Sequence, residues 1–312
     1  MQETGGRGST RKSLYIWLSA AAVLLGACGG ETVLEKAGKE FEEGRYQEVV
    51  FLVRHHLRRG GERRPELIFL AGRSWLRLGI EAEAEDAFAE VYSADSTWAP
   101  RIAEALKEEA LSSLESGYSN RGRRFMMQAI NYDGTLDFGP YNSIAGVLLL
   151  EEKNYGGAIR FLKTFLEHLP DTAGAAETMM HLGSAYEGND EYDEAVELYR
   201  SFQERYPKSR LATTIQWKLE NLLYMKAERS AGEGNIDGAV DLLLDLVSSA
   251  SSPLVRERTY FLLGELCERE GDTVKAVHYY TEVVNLNLGS SKRLVGKAKE
   301  RIEILKTERV HR

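Results

Sequence analysis

The chain has little proline and little sign of β-strands. Six prolines occur in 312 residues, so few positions force a break in a helix. Apolar residues recur at helical spacing in segments such as 194–204 and 239–247, whereas the alternation typical of strands is nearly absent. These features predict an all-α protein.

The usual sequence motifs of catalysis and metal binding are also missing. The strings HExxH, CxxC, GxSxG and GxxxxGKS/T do not occur. His55 and His56 are adjacent and therefore diverge on a helix, and the acidic run 190–194 lacks the glycine of a calcium-binding EF-hand loop. We therefore predict no catalytic residue, no metal site and no enzymatic activity.

Basic residues are outnumbered by acidic ones. The formal net charge is −8, and without residues 1–27, which hold three basic residues and one acidic residue, it is 37 minus 47, or −10. Because nucleic acid is itself negative, we expect none as a partner.

One segment departs from this acidity and contains these basic residues: Arg54, His55, His56, Arg58, Arg59, Arg63 and Arg64. Two interpretations stay open. The segment could face phosphate groups of lipids or glycans, or it could be a solvated helix end whose basic side chains complement the helix dipole.

The N-terminal hydrophobic run is too short to span a membrane. It extends from Leu14 to Leu25, which is twelve residues, whereas a spanning helix needs roughly 20. Three basic residues, Arg7, Arg11 and Lys12, precede it. Residues 1–27 are therefore predicted to be an export signal.

The end of this signal resembles the lipobox of bacterial lipoproteins, with the sequence Leu25-Gly26-Ala27-Cys28. The resemblance implies that Cys28 carries diacylglycerol and an N-acyl lipid, and that residues 28–32 link it to the folded body. Gly29 after the cysteine, instead of Asp, implies the periplasmic face of the outer membrane. The alternative is an ordinary secretory signal with an incidental cysteine. No other cofactor is expected.

Cysteine is scarce beyond this site. With Cys28 lipidated, Cys267 is the remaining cysteine, so no intrachain disulfide can form in spite of an oxidising compartment. We expect Cys267 to be a buried core thiol, and a redox or nucleophilic role is the alternative.

What the chain does have is an internal repeat. A small residue recurs with steps of 35, 38, 36, 37, 44 and 37 residues, at Val49, Ala84, Gly122, Ala158, Ala195, Ala239 and Ala276. The best-defined unit carries these landmarks: Leu182, Gly183, Tyr186, Tyr192, Ala195, Tyr199 and Pro207. Such a period predicts a stack of helical hairpins. In each hairpin, a Gly or Ala on the first helix, such as Gly38, Gly72 or Gly183, lets the second helix approach closely.

These landmarks resemble the tetratricopeptide repeat (TPR) pattern over residues 33–288. The resemblance implies an all-α, right-handed superhelical solenoid of about seven TPR-like hairpins. A C-terminal capping helix and tail would follow in residues 289–312. The step of 44 residues predicts a lengthened helix or an insert near residues 211–232.

In the TPR fold the first helix of each hairpin lines a concave groove. Carried over position by position, the resemblance gives these partner-binding candidates: Phe69, Arg73, Met180, Glu187, Tyr224, Glu228, Phe261, Glu265 and Glu268. A groove with an acidic and aromatic end would suit an amphipathic helix or extended peptide that carries a basic residue. Leu111 and Leu114 would line its middle or, if the register slips there, belong to the core.

The junction 206–212 resembles that of outer-membrane assembly lipoproteins of the BamD type and of the periplasmic cell-division coordinator CpoB. This implies a lipid-anchored scaffold that binds envelope proteins or peptides on the periplasmic side of the outer membrane, in β-barrel assembly or a Tol-Pal type of process. Two alternatives stay open. One is a pilotin-like lipoprotein for a pilus or secretion ring, and the other is a small-ligand-binding protein or an enzyme.

Overall fold

The computed structural model describes residues 31–286 and 292–310. This part of the chain contains fifteen α-helices and no β-strand, so the predicted all-α fold is confirmed. The export signal and Cys28 lie outside the described residues. The chain divides into two compact units, with the boundary between Ala105 and Leu106.

The first unit consists of two helical hairpins and the start of a fifth helix. Its helices are α1 (Val33–Glu42), α2 (Tyr46–Arg58), α3 (Pro65–Arg77), α4 (Glu81–Ala94) and the beginning of α5 (Ala99–Glu115), which a 3-10 turn precedes at Ser96–Trp98. Helix α1 begins at a capping box, in which the Thr32 hydroxyl accepts from the Glu35 backbone N–H and the Glu35 carboxylate accepts from the Thr32 backbone N–H.

The second unit contains the rest of α5 and ten further helices. These are α6 (Ser119–Tyr132), α7 (Asn142–Glu151), α8 (Tyr155–His168), α9 (Ala175–Gly188), α10 (Tyr192–Arg205), α11 (Ala212–Gly232), α12 (Ile236–Ser249), α13 (Pro253–Arg269), α14 (Thr273–Leu286) and α15 (Lys292–Val310). From α7 onward each helix packs against the next, and the first helices of neighbouring hairpins also touch, as α11 and α13 do. The first helices of neighbouring hairpins therefore lie side by side and form a continuous surface.

Each hairpin closes on small residues, as the repeat pattern predicts. Ala195 and Ala276 on the second helices are fully buried. On the first helices, a Cβ added to Gly183 would lie 2.2 Å from the Tyr199 ring, and one added to Gly264 would lie 2.7 Å from the Tyr280 ring. In these two hairpins the helices therefore approach so closely that only a hydrogen fits between the glycine backbone and the tyrosine ring.

The first hairpin differs by one position from the expected pattern. Gly38 was the expected contact residue, but a Cβ added there would meet nothing within 4 Å, and its neighbour Ala37 is the fully buried residue. The reason is the spacing: Ala37 lies twelve residues before Val49, as Gly183 lies before Ala195, whereas Gly38 lies eleven residues before it.

The longer step between Ala195 and Ala239 is explained by one long helix. Helix α11 has 21 residues, whereas α9 and α10 have 14 each. The seven additional residues equal the excess of the 44-residue step over the usual 37, and they add two helical turns. The chain therefore absorbs the irregular spacing by extending a helix and not by inserting a loop.

Candidate functional site

An open groove of about 770 Å³ lies in the second unit, between helices α11, α13 and α15. Buried apolar side chains form its floor, among them Phe261, Leu266 and Tyr280. Phe261 packs against the Tyr280 ring with 5.4 Å between the ring centroids. Phe261 and Tyr280 belong to the hydrophobic cluster of the last hairpin, and Leu266 belongs to the cluster before it.

The rim of the groove carries both signs of charge on different helices. Glu228 lies on α11, Glu265 lies on α13, and Lys297 and Arg301 lie on α15. Glu265 is exposed overall, but loss of hydration inside the groove raises the pKa of its carboxyl group, and the Lys297 ammonium opposes this rise. The rim thus offers carboxylates to a cationic group while apolar surface lies directly below.

Glu268 has a structural role at the edge of this groove. Its carboxylate accepts a hydrogen bond of 3.0 Å from the Tyr280 hydroxyl and one of 3.2 Å from Nε of Arg301, and it forms an ion pair with the same guanidinium. Because Tyr280 belongs to α14 and Arg301 to α15, this carboxylate joins three helices.

The same arrangement occurs two hairpins earlier, around Glu187 of α9. The Tyr199 hydroxyl of α10 donates to the Glu187 carboxylate, and Nζ of Lys218 on α11 lies 3.0 Å from it. Glu187 and Glu268, both expected to face a ligand, therefore bond to the tyrosine of their own hairpin and to a cation of the following helix.

Tyr224 lies beside the groove and is covered by a cation. The Arg258 guanidinium stacks 4.4 Å above its ring and donates to the side chain of Asn221. Burial, and after it the Glu228 carboxylate, raises the pKa of the Tyr224 hydroxyl above its usual range. Tyr224 is therefore neutral and serves as a flat surface and hydrogen-bonding group.

The other predicted partner-binding residues lie elsewhere. In the first unit, Phe69 is half-buried against Phe88 and Trp98, with ring centroids 5.7 and 5.2 Å apart. Arg73 of the same helix lies 4.7 Å over the Phe41 ring. In the second unit Met180 is half-buried on α9. The groove thus gathers four of the predicted residues, Glu228, Phe261, Glu265 and Glu268, with Tyr224 alongside.

Sequence reasoning missed the basic side of the groove. It predicted a capping helix at the C-terminus and named no site residue there, whereas Lys297 and Arg301 line the groove. A signal was present, because each of them directly precedes a buried residue of the apolar stripe, Ala298 or Ile302. Residues at that offset lie at the border of a buried helix face.

Cys267 is 7% exposed and unpaired. Burial raises the pKa of its thiol, which keeps it protonated and unreactive at neutral pH.

Within residues 31–286 and 292–310, no three His, Cys, Asp or Glu side chains cluster as metal ligands would. Over the same residues no helix is long and apolar enough to cross a bilayer.

Two segments match family models described as tetratricopeptide repeat, at residues 177–209 and 257–306. They contain the Tyr199–Glu187 and Tyr280–Glu268 arrangements, respectively. The chain contains TPR repeats. The predicted repeat type is therefore confirmed, while the closer likeness to BamD and CpoB and the lipoprotein assignment stay predictions.

Several solved structures are similar to the chain. A TPR repeats protein from Bacteroides fragilis matches with 14% identity and a TM-score of 0.43, over 66% of this chain and 98% of that one. Naa15/Naa10 bound to HypK-THB matches with 12% identity and a TM-score of 0.43, over 88% and 38%. PilF of Pseudomonas aeruginosa matches with 16% identity and a TM-score of 0.30, over 78% and 97%. Comparison with curated proteins gives no match.

TPR repeats place the protein among interaction scaffolds. Stacked repeats offer extended surfaces to other proteins, and a TPR fold is typically a scaffold and not an enzyme. Residues of the groove rim that do not hold the hairpins together, such as Glu228, Glu265 and Lys297, are those with side chains available to a partner.

Proposed function

We propose that this protein is a TPR scaffold that is anchored by lipid on Cys28 to the periplasmic face of the outer membrane. It binds envelope proteins during assembly processes of the β-barrel or Tol-Pal type. Its partner segment is an amphipathic helix or extended peptide with one apolar anchor and a basic side chain. The scaffold itself carries out no catalysis.

The groove between α11, α13 and α15 carries this proposal. Its apolar floor, which includes Phe261 and Leu262, can take a hydrophobic side chain, and burial of one such side chain contributes about 1.5–3 kcal/mol. The carboxylates of Glu228 and Glu265 line the groove. Glu228 bonds to Tyr224 and Glu265 feels the charge of Lys297, so a cation of the partner would add to these interactions at the rim. Helix-in-groove binding uses this combination of anchors.

Charge reversal at the rim tests the groove. In affinity purification of the full chain from membranes, with quantification by mass spectrometry, Glu265→Lys should lower capture of the partner about tenfold, which corresponds to about 1.4 kcal/mol. Truncation of Phe261 is less suitable, because that ring is 8% exposed and packs on Tyr280, so the hairpin itself would weaken.

Glu197→Lys is the matched control. Glu197 is an exposed glutamate on α10 that does not line the groove, and its replacement changes the net charge by the same amount. Capture should stay at the parent level. Equal capture by Glu265→Lys and Glu197→Lys, in proteins with the same circular dichroism spectrum, would overturn the groove assignment.

The anchor has its own test. Mass spectrometry of the N-terminal peptide should show diacylglycerol and an acyl chain on Cys28, and the Cys28→Ser chain should carry neither. An unmodified Cys28 in the protein purified from membranes would contradict the lipid anchor and leave the groove proposal untouched.

A further inference from the structure

Helix α2 exposes a cationic and aromatic face. Phe51 is 62% exposed, and Arg54, His55, Arg58 and Arg59 are exposed next to it in the sequence. These five residues, here called the α2 face, follow the spacing i, i+3, i+4, i+7 and i+8, which places them on one side of a helix. The His55 ring stacks on Phe51 with centroids 5.9 Å apart.

The positive charge of this region is only partly neutralised within the protein. Residues 51–64 contain five arginines and one glutamate, so their net charge is 5 minus 1, or +4, with histidine neutral. Arg63 pairs with Glu90, and Arg64 lies 3.6 Å from Glu66. Among the described residues, Arg58 and Arg59 have no such partner.

Other charges near this end of the unit are largely satisfied. Glu31 forms an ion pair of 2.8 Å with Lys39, and the Glu35 carboxylate accepts from Thr32 in the capping box. Glu62 is exposed and offsets one arginine. A positive excess therefore remains on a chain that is otherwise strongly acidic.

The helix dipole does not account for the whole pattern. Its field acts on the last helical turn, where one or two cations complement it. Arg58 and Arg59 meet that need, and the Arg54 guanidinium lies 5.4 Å over the Trp75 ring of α3. Neither contact accounts for the exposed Phe51, which lies about two turns before Arg58. An exposed aromatic ring among arginines has no such role, and it matches the composition of segments that lie on membrane surfaces.

The topology brings the α2 face close to the proposed anchor. Helices α1 and α2 pack together and are joined by residues 43–45, so they run antiparallel and the C-terminal end of α2 lies beside the N-terminal end of α1. Helix α1 begins at Val33, five residues after Cys28. Five extended residues span at most about 18 Å, so lipid on Cys28 would hold this end of α2 close to the bilayer.

We propose that the α2 face docks on the surface of an anionic phospholipid bilayer. The arginines bind lipid phosphates, Phe51 enters the headgroup region, and the first TPR hairpin is thereby held in a fixed orientation on the membrane. The proposal rests on the lipid anchor of the proposed function, which keeps the surface within reach. Each arginine near an anionic surface contributes about 1 kcal/mol, or about fivefold in the docking equilibrium.

A dye on the α2 face tests this docking. The full-length chain with His55→Cys, labelled with an environment-sensitive fluorophore, is reconstituted into phosphatidylcholine vesicles with and without phosphatidylglycerol. Cys267 is buried, and labelling of the parent chain measures its background. We expect stronger and blue-shifted emission with phosphatidylglycerol, and loss of this change in ~1 M salt, where the Debye length is about 3 Å.

Two controls give the test its specificity. The same dye at Ala82→Cys, an exposed site at the start of α4 and at the opposite end of the α3/α4 hairpin from Pro65, should not respond. Arg58→Gln with Arg59→Gln should weaken docking about 25-fold, from two factors of about fivefold. Lys163→Gln with Arg200→Gln removes two exposed cations elsewhere and should leave the dye response intact.

The outcomes separate this proposal from the anchor. Vesicle flotation of the chain with equal dye emission in both lipids would overturn docking and leave the anchor standing. An equal loss of response in both double variants would also overturn it, since bulk charge would then be the cause. If the chain carries no lipid, a dye response on addition of the protein to phosphatidylglycerol vesicles would support the α2 face alone, and no response would overturn it.

Discussion

Two junctions of the second unit contain the same four groups, a glycine, a tyrosine, a glutamate and a cation, but they differ in the surface next to them. Around Tyr199 and around Tyr280, the ring packs against a glycine of the first helix, and the tyrosine hydroxyl donates a hydrogen bond to a glutamate. A cation of the next helix binds that glutamate. The second junction alone borders the groove. The recurring glycine, tyrosine and glutamate hold the hairpins together, whereas Glu265 and Lys297 line the groove and take no part in these junctions.

Removal of the tyrosines should give the largest effect. Tyr199 and Tyr280 are both fully buried, and truncation of a large buried ring to alanine costs about 3–5 kcal/mol. Tyr280→Ala should unfold the last hairpin and α15 in a separate, earlier transition. The reason is that this hairpin packs against another hairpin on one side but against only a single helix, α15, on the other. Tyr199→Ala should weaken the unit from its interior. Urea unfolding followed by circular dichroism measures both, and a single late transition for Tyr280→Ala would contradict the comparison.

Addition of one methyl group at each glycine should have the next largest effect. Gly183→Ala and Gly264→Ala force the tyrosine ring to move, because the new Cβ would lie 2.2 and 2.7 Å from it. Overpacking of this kind costs about 1–3 kcal/mol, with Gly183→Ala nearer the upper end. Thermal unfolding of both variants is the measurement. Gly38→Ala is the matched control, since a Cβ there meets nothing within 4 Å, and it should be neutral or stabilising.

Loss of the bridging cations should cost less. Lys218 and Arg301 are partly exposed, and partly exposed ion pairs contribute up to about 1 kcal/mol. Arg301→Met should cost more than Lys218→Met, because the guanidinium contacts both oxygens of Glu268 and such two-point pairs are the stronger ones. Double-mutant cycles with Glu268→Gln and Glu187→Gln isolate the two pair energies. A stronger pair at Lys218 would reverse this ranking.

The smallest effect is a pH-dependent one at Glu265. Its pKa is raised in the folded protein above the ordinary 4.5, so the folded state binds the proton more tightly than the unfolded state does. The resulting stabilisation is present below the ordinary pKa and is lost as the pH rises through the raised value. Glu265→Gln should therefore equal the parent at acidic pH and be slightly more stable at neutral pH, by less than about 0.5 kcal/mol. Lower stability of the variant at neutral pH would contradict this assignment.

The fold could be predicted from the sequence because close helix contact admits few side chains. A Gly or Ala at a nearly fixed interval marks each place where two backbones meet, and Ala195 and Ala276 are buried there. The exception in the first hairpin has the same cause. Ala37 and Gly38 are both small, and only the twelve-residue spacing to Val49 shows that Ala37 faces the partner helix.

The groove could be predicted only in part, because the hydrogen bonds and ion pairs of its side chains depend on contacts between helices that are distant in the sequence. The repeat register identifies Glu265 and Glu268 alike as groove positions, yet Glu268 bonds to Tyr280 and Arg301, whereas Glu265 does not. That difference depends on where α15 lies, and α15 is outside the repeat pattern. Lys297 and Arg301 reach the rim for the same reason.

The buried thiol of Cys267 can report the transient opening of the last hairpin. Because the side chain is buried in the last hairpin and burial keeps it protonated, a thiol reagent can attack it only while that hairpin is open. When closing is faster than attack, the modification rate is proportional to the open fraction. A partner bound in the adjacent groove would stabilise the closed hairpin and slow the modification of Cys267. The modification rate would therefore measure the fraction of protein with bound partner, with no fluorophore attached.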